Sequence, residues 1–170
     1  MSAQVVRGAR PEEHDALLGL VLAAYGEFGS FLTAQFVQEF REDVIRLMND
    51  ENTEVLVAEE DGSVVGTITF YPDGPDYNDE IPAAWACLRT LAVLPSARGR
   101  GAGRMLMNEC IGRARGLGRT RILLHTMPFM SSAIALHEKL GFRRMPELDV
   151  EYGSGTTVVA YVLDLDAGVF

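Results

Sequence analysis

Apolar residues recur along this chain in two rhythms. After Pro11, Leu17, Leu18, Val21, Leu22 and Tyr25 repeat at helical spacing. Proline suits the first helical turn, and Glu12, Glu13 and Asp15 suit its positive end. Gly26–Ser30 breaks that pattern, and Phe36, Phe40, Val44, Ile45 and Met48 predict a second helix over Ala34–Met48. Strand-like runs follow at Val55–Glu59 and Val64–Phe70, with Asp61–Gly62 between them as a hairpin turn. Gln4–Arg7 reads as an earlier strand and Ala83–Val93 as a long central one. The proline- and acid-rich Tyr71–Pro82 reads as a loop. Leu106, Cys110, Ala114 and Leu117 share one face of a third helix, about Gly101–Leu117, which Gly116 and Gly118 end. Arg121–His125 is a short apolar strand, and a fourth helix from Ser131 ends at Gly141, a C-cap glycine. A short strand from Phe142, an acidic loop and the strand Thr157–Leu165 complete the chain. The order β-α-α-β-β-β-α-β-α-β-β predicts one α/β domain over residues 1–170 with a mixed sheet.

Composition narrows the partners. With 170 residues and 48% hydrophobic content, the chain can bury a full core. No run approaches the roughly 20 apolar residues of a membrane span, so no membrane partner is expected. Met1–Arg7 lacks the layout of a signal peptide, and the two cysteines, Cys87 and Cys110, form no disulfide framework. Both fall at apolar positions and are expected as buried thiols. A cytoplasmic protein follows. A net charge of −9 argues against nucleic acid as a partner and is compatible with cationic or amine ligands. Arginines nevertheless crowd between Arg89 and Arg121, a local excess that suits a polyanion.

That excess centres on Leu91–Ala92–Val93, Pro95 and the loop Arg98–Gly99–Arg100–Gly101–Ala102–Gly103–Arg104, which leads into the third helix. The first amides of a helix lack intrahelical acceptors and sit at its positive end, so this junction can bind a phosphate group. Glycines let a ligand approach the backbone and permit positive φ; Arg98, Arg100 and Arg104 are expected to add charge. A Walker A loop would need Lys and then Ser or Thr after its last glycine, whereas Arg104 and Met105 follow Gly103. The G-x-G-x-x-G dinucleotide fingerprint also fails, because the glycines fall at 99, 101 and 103. The spacing that remains is R-x-x-G-x-G, at Arg98, Gly101 and Gly103.

This loop resembles the pyrophosphate loop of the GNAT superfamily of N-acetyltransferases. Ala133, Leu136, Lys139, Leu140, Gly141 and Phe142 add a second match, to A-x-x-L-Y-x-K-L-G-F, with His137 where the family usually has tyrosine. The resemblance is specific over roughly residues 85–144. It implies a GNAT fold, a mixed, mostly antiparallel central sheet of about seven strands flanked by four helices. It implies direct transfer of the acetyl group of acetyl-CoA to a primary amine, of a small molecule or a protein, in a ternary complex. Homodimers are common in that family. Leu91, Ala92, Val93, Arg98, Gly99, Arg100, Gly101, Ala102, Gly103 and Arg104 are then the acetyl-CoA-binding residues, with a main-chain N–H of the 91–93 stretch polarising the thioester oxygen.

An acceptor ammonium must lose a proton before it attacks. His125 is the candidate base: it ends a strand, twelve residues before His137, where ribosomal-protein N-terminal acetyltransferases of this family carry a glutamate. It could equally hydrogen-bond to a loop and do no more. Glu27, Asp76, Asp79, Glu80, Glu147, Asp149 and Glu151 are rival carboxylates. His137 either protonates the departing thiolate or packs beside it. Met130 stands where the family often has an asparagine on the pantetheine arm, and a thioether cannot hydrogen-bond comparably. The missing tyrosine and asparagine keep a non-catalytic acyl-CoA-binding sensor open as an alternative, alongside a phosphate- or nucleotide-binding module unrelated to CoA.

Overall fold

Pro11 opens only a 3-10 turn, Pro11–Glu13, before helix α1 runs over His14–Tyr25; Gly26–Phe31 forms a second 3-10 segment. A computed structural model describes residues 3–74, 80–151 and 155–165. Within them lie four α-helices and eight strands, and the strand pairing is mixed. The chain forms two compact units, Met1–Phe70 with Thr90–Cys110, and Tyr71–Arg89 with Ile111–Phe170.

The first unit holds β1 (Gln4–Gly8), β2 (Glu54–Glu60), β3 (Ser63–Tyr71, all but its last residue), α1, α2 (Ala34–Met48), the end of β4 (Trp85–Val93) and the start of α3 (Ala102–Gly116). β1 pairs antiparallel with β2, Val6 opposite Ala58, and β2 with β3, Leu56 opposite Ile68. The β2–β3 hairpin turns on Asp61 and Gly62, with φ of 51° and 84°. Positive φ at both positions matches the right-handed strand twist, which the Asp-Gly pair in the sequence announces. α2 begins where the Thr33 side chain accepts from the Phe36 amide at 3.0 Å, a normal N-cap. Leu17, Val21 and Ala24 of α1 pack with Val44 and Met48 of α2 against Val57 and Ala92. Arg7 grips Glu13 and Glu59, and these bonds, Arg7 foremost, hold the Glu13 carboxyl down at about 2.

In the second unit the first half of β4 runs parallel to β5 (Arg121–Thr126), Cys87 opposite Leu123. β5 pairs antiparallel with β8 (Thr157–Asp164), Leu123 opposite Val162. β6 (Arg143–Arg144) and β7 (Val150–Glu151) also pair with β8. α4 covers Ser131–Lys139. Ile122, Leu123, Ala160 and Val162 are fully buried, so these strands read as continuous apolar runs. The acidic loop after β6 contains a 3-10 turn, Pro146–Leu148, and the two-residue β7; that short strand makes eight rather than about seven. Cys87 and Cys110 are both buried thiols.

Gly66 in β3 faces a tight contact. A Cβ there would lie 3.1 Å from the Ala92 carbonyl oxygen and 3.3 Å from Leu106 and Val93 side-chain carbons. A backbone oxygen cannot rotate away, so Gly66→Ala should destabilise the protein by about 1–3 kcal/mol through overpacking. The shift of the urea midpoint measures it; an unchanged midpoint would mean that β4 yields freely at Ala92.

Candidate active site

The first group of candidate residues is built where β4 runs into α3. Thr90 has φ of 61°, a left-handed conformation that costs a β-branched residue about 1–3 kcal/mol. The parallel ladder to β5 ends just before it, at Leu88 opposite Leu124. Past Thr90 two side chains add to the strand's backbone pairing with β3. The Tyr25 hydroxyl donates to the Leu91 carbonyl at 3.0 Å, and Arg98 Nε to the Val93 carbonyl at 3.2 Å. Ala92 is buried, and Leu91 and Val93 are half-buried.

The loop then turns through Pro95–Ala97 and two glycines, Gly99 and Gly101, with φ of 80° and 90°. A Cβ at either would meet no protein atom within 4 Å. Glycine is therefore required there by backbone conformation, and the space in front is open. α3 starts at Ala102, one residue later than expected. Its first intrahelical bond runs from the Met105 amide to the Gly101 carbonyl, 3.0 Å, so the Ala102, Gly103 and Arg104 amides lack helical acceptors. Gly103 lies in this first turn.

The three loop arginines are not equivalent. Arg98 spends its guanidinium on the Glu27 carboxylate and on the Ala24 carbonyl at 3.1 Å, at the end of α1. Arg100 pairs with Glu60 at 2.9 Å, and its carbonyl accepts from Gln4 Nε2. Arg104 is exposed and, among the described residues, carries no ion pair. The expected triple charge therefore reduces to Arg104 together with the helix-terminal amides: Arg98 and Arg100 brace the loop. Loop and brace together can hold a phosphate group.

The second group lies in the other unit. His125 is half-buried near the end of β5, and its Nε2 stands 2.8 Å from the Leu148 carbonyl. A carbonyl only accepts, so Nε2 carries the hydrogen and Nδ1 keeps a lone pair. Burial chiefly lowers the His125 pKa; the Leu148 carbonyl and Asp149 pull it up, and Arg89 pushes it down. The ring is neutral at pH 7, the form a proton acceptor needs. Both readings of His125 thus meet in one geometry, because the loop hydrogen bond occupies one nitrogen and leaves the other.

His137 differs. It is buried, 4% exposed, with the rings of Phe142 and Tyr161 at 6.0 and 6.5 Å. Its Nδ1 has no hydrogen-bond partner, and burial pushes its pKa down to about 4. An imidazolium there is scarce at neutral pH, which weighs against the expected proton donor and favours packing. Met130 accepts a hydrogen bond from Thr126 Oγ1 through its sulfur, at 3.7 Å.

Two rival carboxylates are committed elsewhere, Glu27 to Arg98 and Asp149 to Arg144 and the Ala160 amide. Glu80, Glu147 and Glu151 are exposed; Asp76 and Asp79 lie outside the described residues. Thr90, Tyr25, Glu60 and Leu148 escaped the sequence reading. A β-branched residue gives no hint of positive φ, Tyr25 sits in an ordinary apolar stripe, and the partners of Arg98 and Arg100 are remote in the chain. Among the described residues no helix is long and apolar enough to cross a membrane.

Residues 21–142 match the model of the acetyltransferase (GNAT) family. The chain is 30% identical over 115 residues to the L-methionine sulfoximine/L-methionine sulfone acetyltransferase of Salmonella typhimurium, a match covering 66% of this chain and 65% of that protein. It is 32% identical over 155 residues to the Xenopus tropicalis protein named probable N-acetyltransferase camello, covering 86% of this chain and 67% of that one. These matches span about two thirds of the relatives' own length. Among solved structures, PaiA N-acetyltransferase from Thermoplasma acidophilum in complex with coenzyme A superposes with a TM-score of 0.69 at 14% identity, covering 93% of this chain and 98% of that one. That likeness establishes the fold.

The buried His137 makes stability depend on pH. Its folded pKa of about 4 lies below the ordinary histidine value of 6.5, so the unfolded chain takes up the proton first. The resulting stability is complete above pH 6.5 and declines as pH falls toward 4, by up to about 3 kcal/mol. His137→Phe should remove that decline. Urea midpoints of both proteins across this range measure it, since all other groups cancel in the difference; parallel curves would mean that His137 is protonated without cost.

Proposed function

The chain belongs to the GNAT acetyltransferase family, and we propose that it transfers the acetyl group of acetyl-CoA directly to a primary amine within a ternary complex. The observation that carries this reading is the junction at residues 99–104, where two positive-φ glycines lead into a helix terminus whose amides have no intrahelical acceptor. Those donors suit a pyrophosphate, with Arg104, which carries no ion pair among the described residues, as countercharge. Gly101→Asp adds a side chain at a positive φ and a negative charge where phosphate would lie. It should weaken acetyl-CoA binding at least tenfold, or ~1.4 kcal/mol, with the fold retained. Unchanged calorimetric affinity in the folded variant would rule out this assignment.

In this reading His125 Nδ1 accepts the ammonium proton of the acceptor, directly or through water, and frees the nitrogen lone pair. That lone pair attacks the thioester carbonyl, main-chain N–H groups of the Leu91–Val93 stretch take the developing oxyanion, and the C–S bond breaks to release the CoA thiolate as the new amide nitrogen gives up its second proton to that thiolate or to water. His137, neutral in its buried site, offers the thiolate at most an N–H hydrogen bond. Turnover should fall with acidity along a limb below pH 6.5, because burial lowers the His125 pKa. His125→Ala should abolish that limb and slow turnover on the order of 10²-fold. Retention of both limb and rate in the variant would pass the role to a carboxylate.

The acceptor class we favour is a small primary amine of amino-acid type, supported by the name of the Salmonella relative. The buried thiols Cys87 and Cys110 fit a reducing compartment, the cytoplasm. Free-thiol release from acetyl-CoA across a panel of amino acids, polyamines and peptides tests activity and acceptor together. The buried His137, where the family's acid usually stands, is the observation that favours the acyl-CoA sensor instead; tight acetyl-CoA binding with no turnover on any amine would select it.

A further inference from the structure

His125 is held by a closed circuit of hydrogen bonds, and two of its members, Arg144 and Asp149, bond to each other and to Ala160 rather than to the ring. His125 on β5 stands opposite Ala160 on β8. The Ala160 amide donates to Asp149 Oδ1 at 2.8 Å, and the Ala160 carbonyl accepts from the Met145 amide at 2.9 Å. Arg144, opposite Tyr161 on β8, grips both Asp149 oxygens, at 2.6 and 2.7 Å, and lays its guanidinium over the Tyr161 ring at 5.8 Å. Between Met145 and Asp149 the 3-10 turn is closed by the Leu148 amide on the Met145 carbonyl and the Asp149 amide on the Pro146 carbonyl, both at 3.1 Å. Both ends of the turn are thus tied to Ala160, and its third residue presents the Leu148 carbonyl to His125 Nε2. The charged groups around the ring are Asp149 from this turn and Arg89 from β4.

We propose that Asp149, clamped by Arg144, is a positioning residue that fixes His125 in the Nε2–H tautomer and so leaves Nδ1 as the nitrogen that takes the acceptor's proton. The tautomer of a histidine is set by the hydrogen bond at its other nitrogen, and here that bond depends on where the Asp149 clamp places Leu148. Two strands supply the anchors, so the carbonyl is held by the fold rather than by a free loop. The bidentate fork matters: guanidinium spans both oxygens, which an ammonium cannot do. The inference rests on the reading of His125 as the base.

Long-range 1H–15N spectra of 15N-histidine-labelled protein at neutral pH, with steady-state rates, test both ideas separately. The wild type should show His125 as the Nε2–H tautomer alone. Asp149→Ala should mix the tautomers and lower kcat about tenfold, part of the general-base contribution, with KM for acetyl-CoA unchanged. Asp149→Asn, whose amide oxygen can still accept from Ala160 but whose NH2 cannot accept from the Arg144 fork, should recover only part of both. Arg144→Lys keeps the charge without the fork and should fall between, which preserves the test if Asp149→Ala fails to fold. In a His125→Ala background, Asp149→Ala should cost nothing further in rate. A wild-type Nδ1–H tautomer, or variants with unchanged tautomer and rate, would overturn the clamp. A changed tautomer with unchanged kcat would leave the clamp standing and overturn His125 as the base.

Discussion

Arg98 reaches the Val93 carbonyl, the Ala24 carbonyl and the Glu27 carboxylate with a single guanidinium, and the loop at residues 99–104 depends on that grip. The end of β4, the end of α1 and the segment after it are drawn to one point, just before the backbone turns left-handed at Gly99 and Gly101. A helix terminus binds an anion well only if its amides are already aimed, since a loop that must order itself spends binding energy doing so. A lysine would carry the same charge and could not hold three separately oriented acceptors. The cost is that this charge is neutralised by Glu27.

The same pattern recurs across a protein of net charge −9. Arg7 with Glu13 and Glu59, Arg100 with Glu60, Arg119 with Asp73, and Arg144 with Asp149 are all ion pairs. An exposed pair adds little stability. Several of these instead fix a backbone segment: Arg119 also reaches the Ala83 carbonyl, and Asp149 also takes the Ala160 amide. Of the arginines between Arg89 and Arg121, Arg98, Arg100, Arg119 and Arg121 hold carboxylates, whereas Arg104 carries no ion pair among the described residues.

Two histidines show how environment sorts one residue type into different chemistry. Burial lowers the pKa of both. His125 has a carbonyl on one nitrogen and a carboxylate nearby, so its tautomer is defined and its free nitrogen is basic. His137 has aromatic neighbours and an unmatched Nδ1, so it is neutral without a defined task in proton transfer. Desolvation acts on each; the hydrogen bond that His125 Nε2 donates to the Leu148 carbonyl and the nearby Asp149 set the two rings apart.

Much of this was legible in the residues themselves. Helical and alternating periodicities placed α2 to the residue, the Asp61–Gly62 hairpin, and the strand–loop–helix junction at 91–104, because these depend on local spacing and on glycine's access to positive φ. The loop's glycine spacing and the Ala133–Phe142 stretch carried the family, since both are short contiguous patterns. Residues distant in sequence decided the rest. Arg98 and Glu27 are 71 positions apart, so nothing local could say that the guanidinium faces inward rather than toward a ligand. Thr90 takes a conformation its side chain opposes, and intrinsic preference points the other way. The tautomer of His125 and the burial of His137 were set by β8 and by the turn before β7, where packing and backbone carbonyls from other parts of the chain arrive. Periodicity reports which face of an element is apolar; which polar atom meets a buried ring depends on how separate elements register, and that is a property of the folded chain alone.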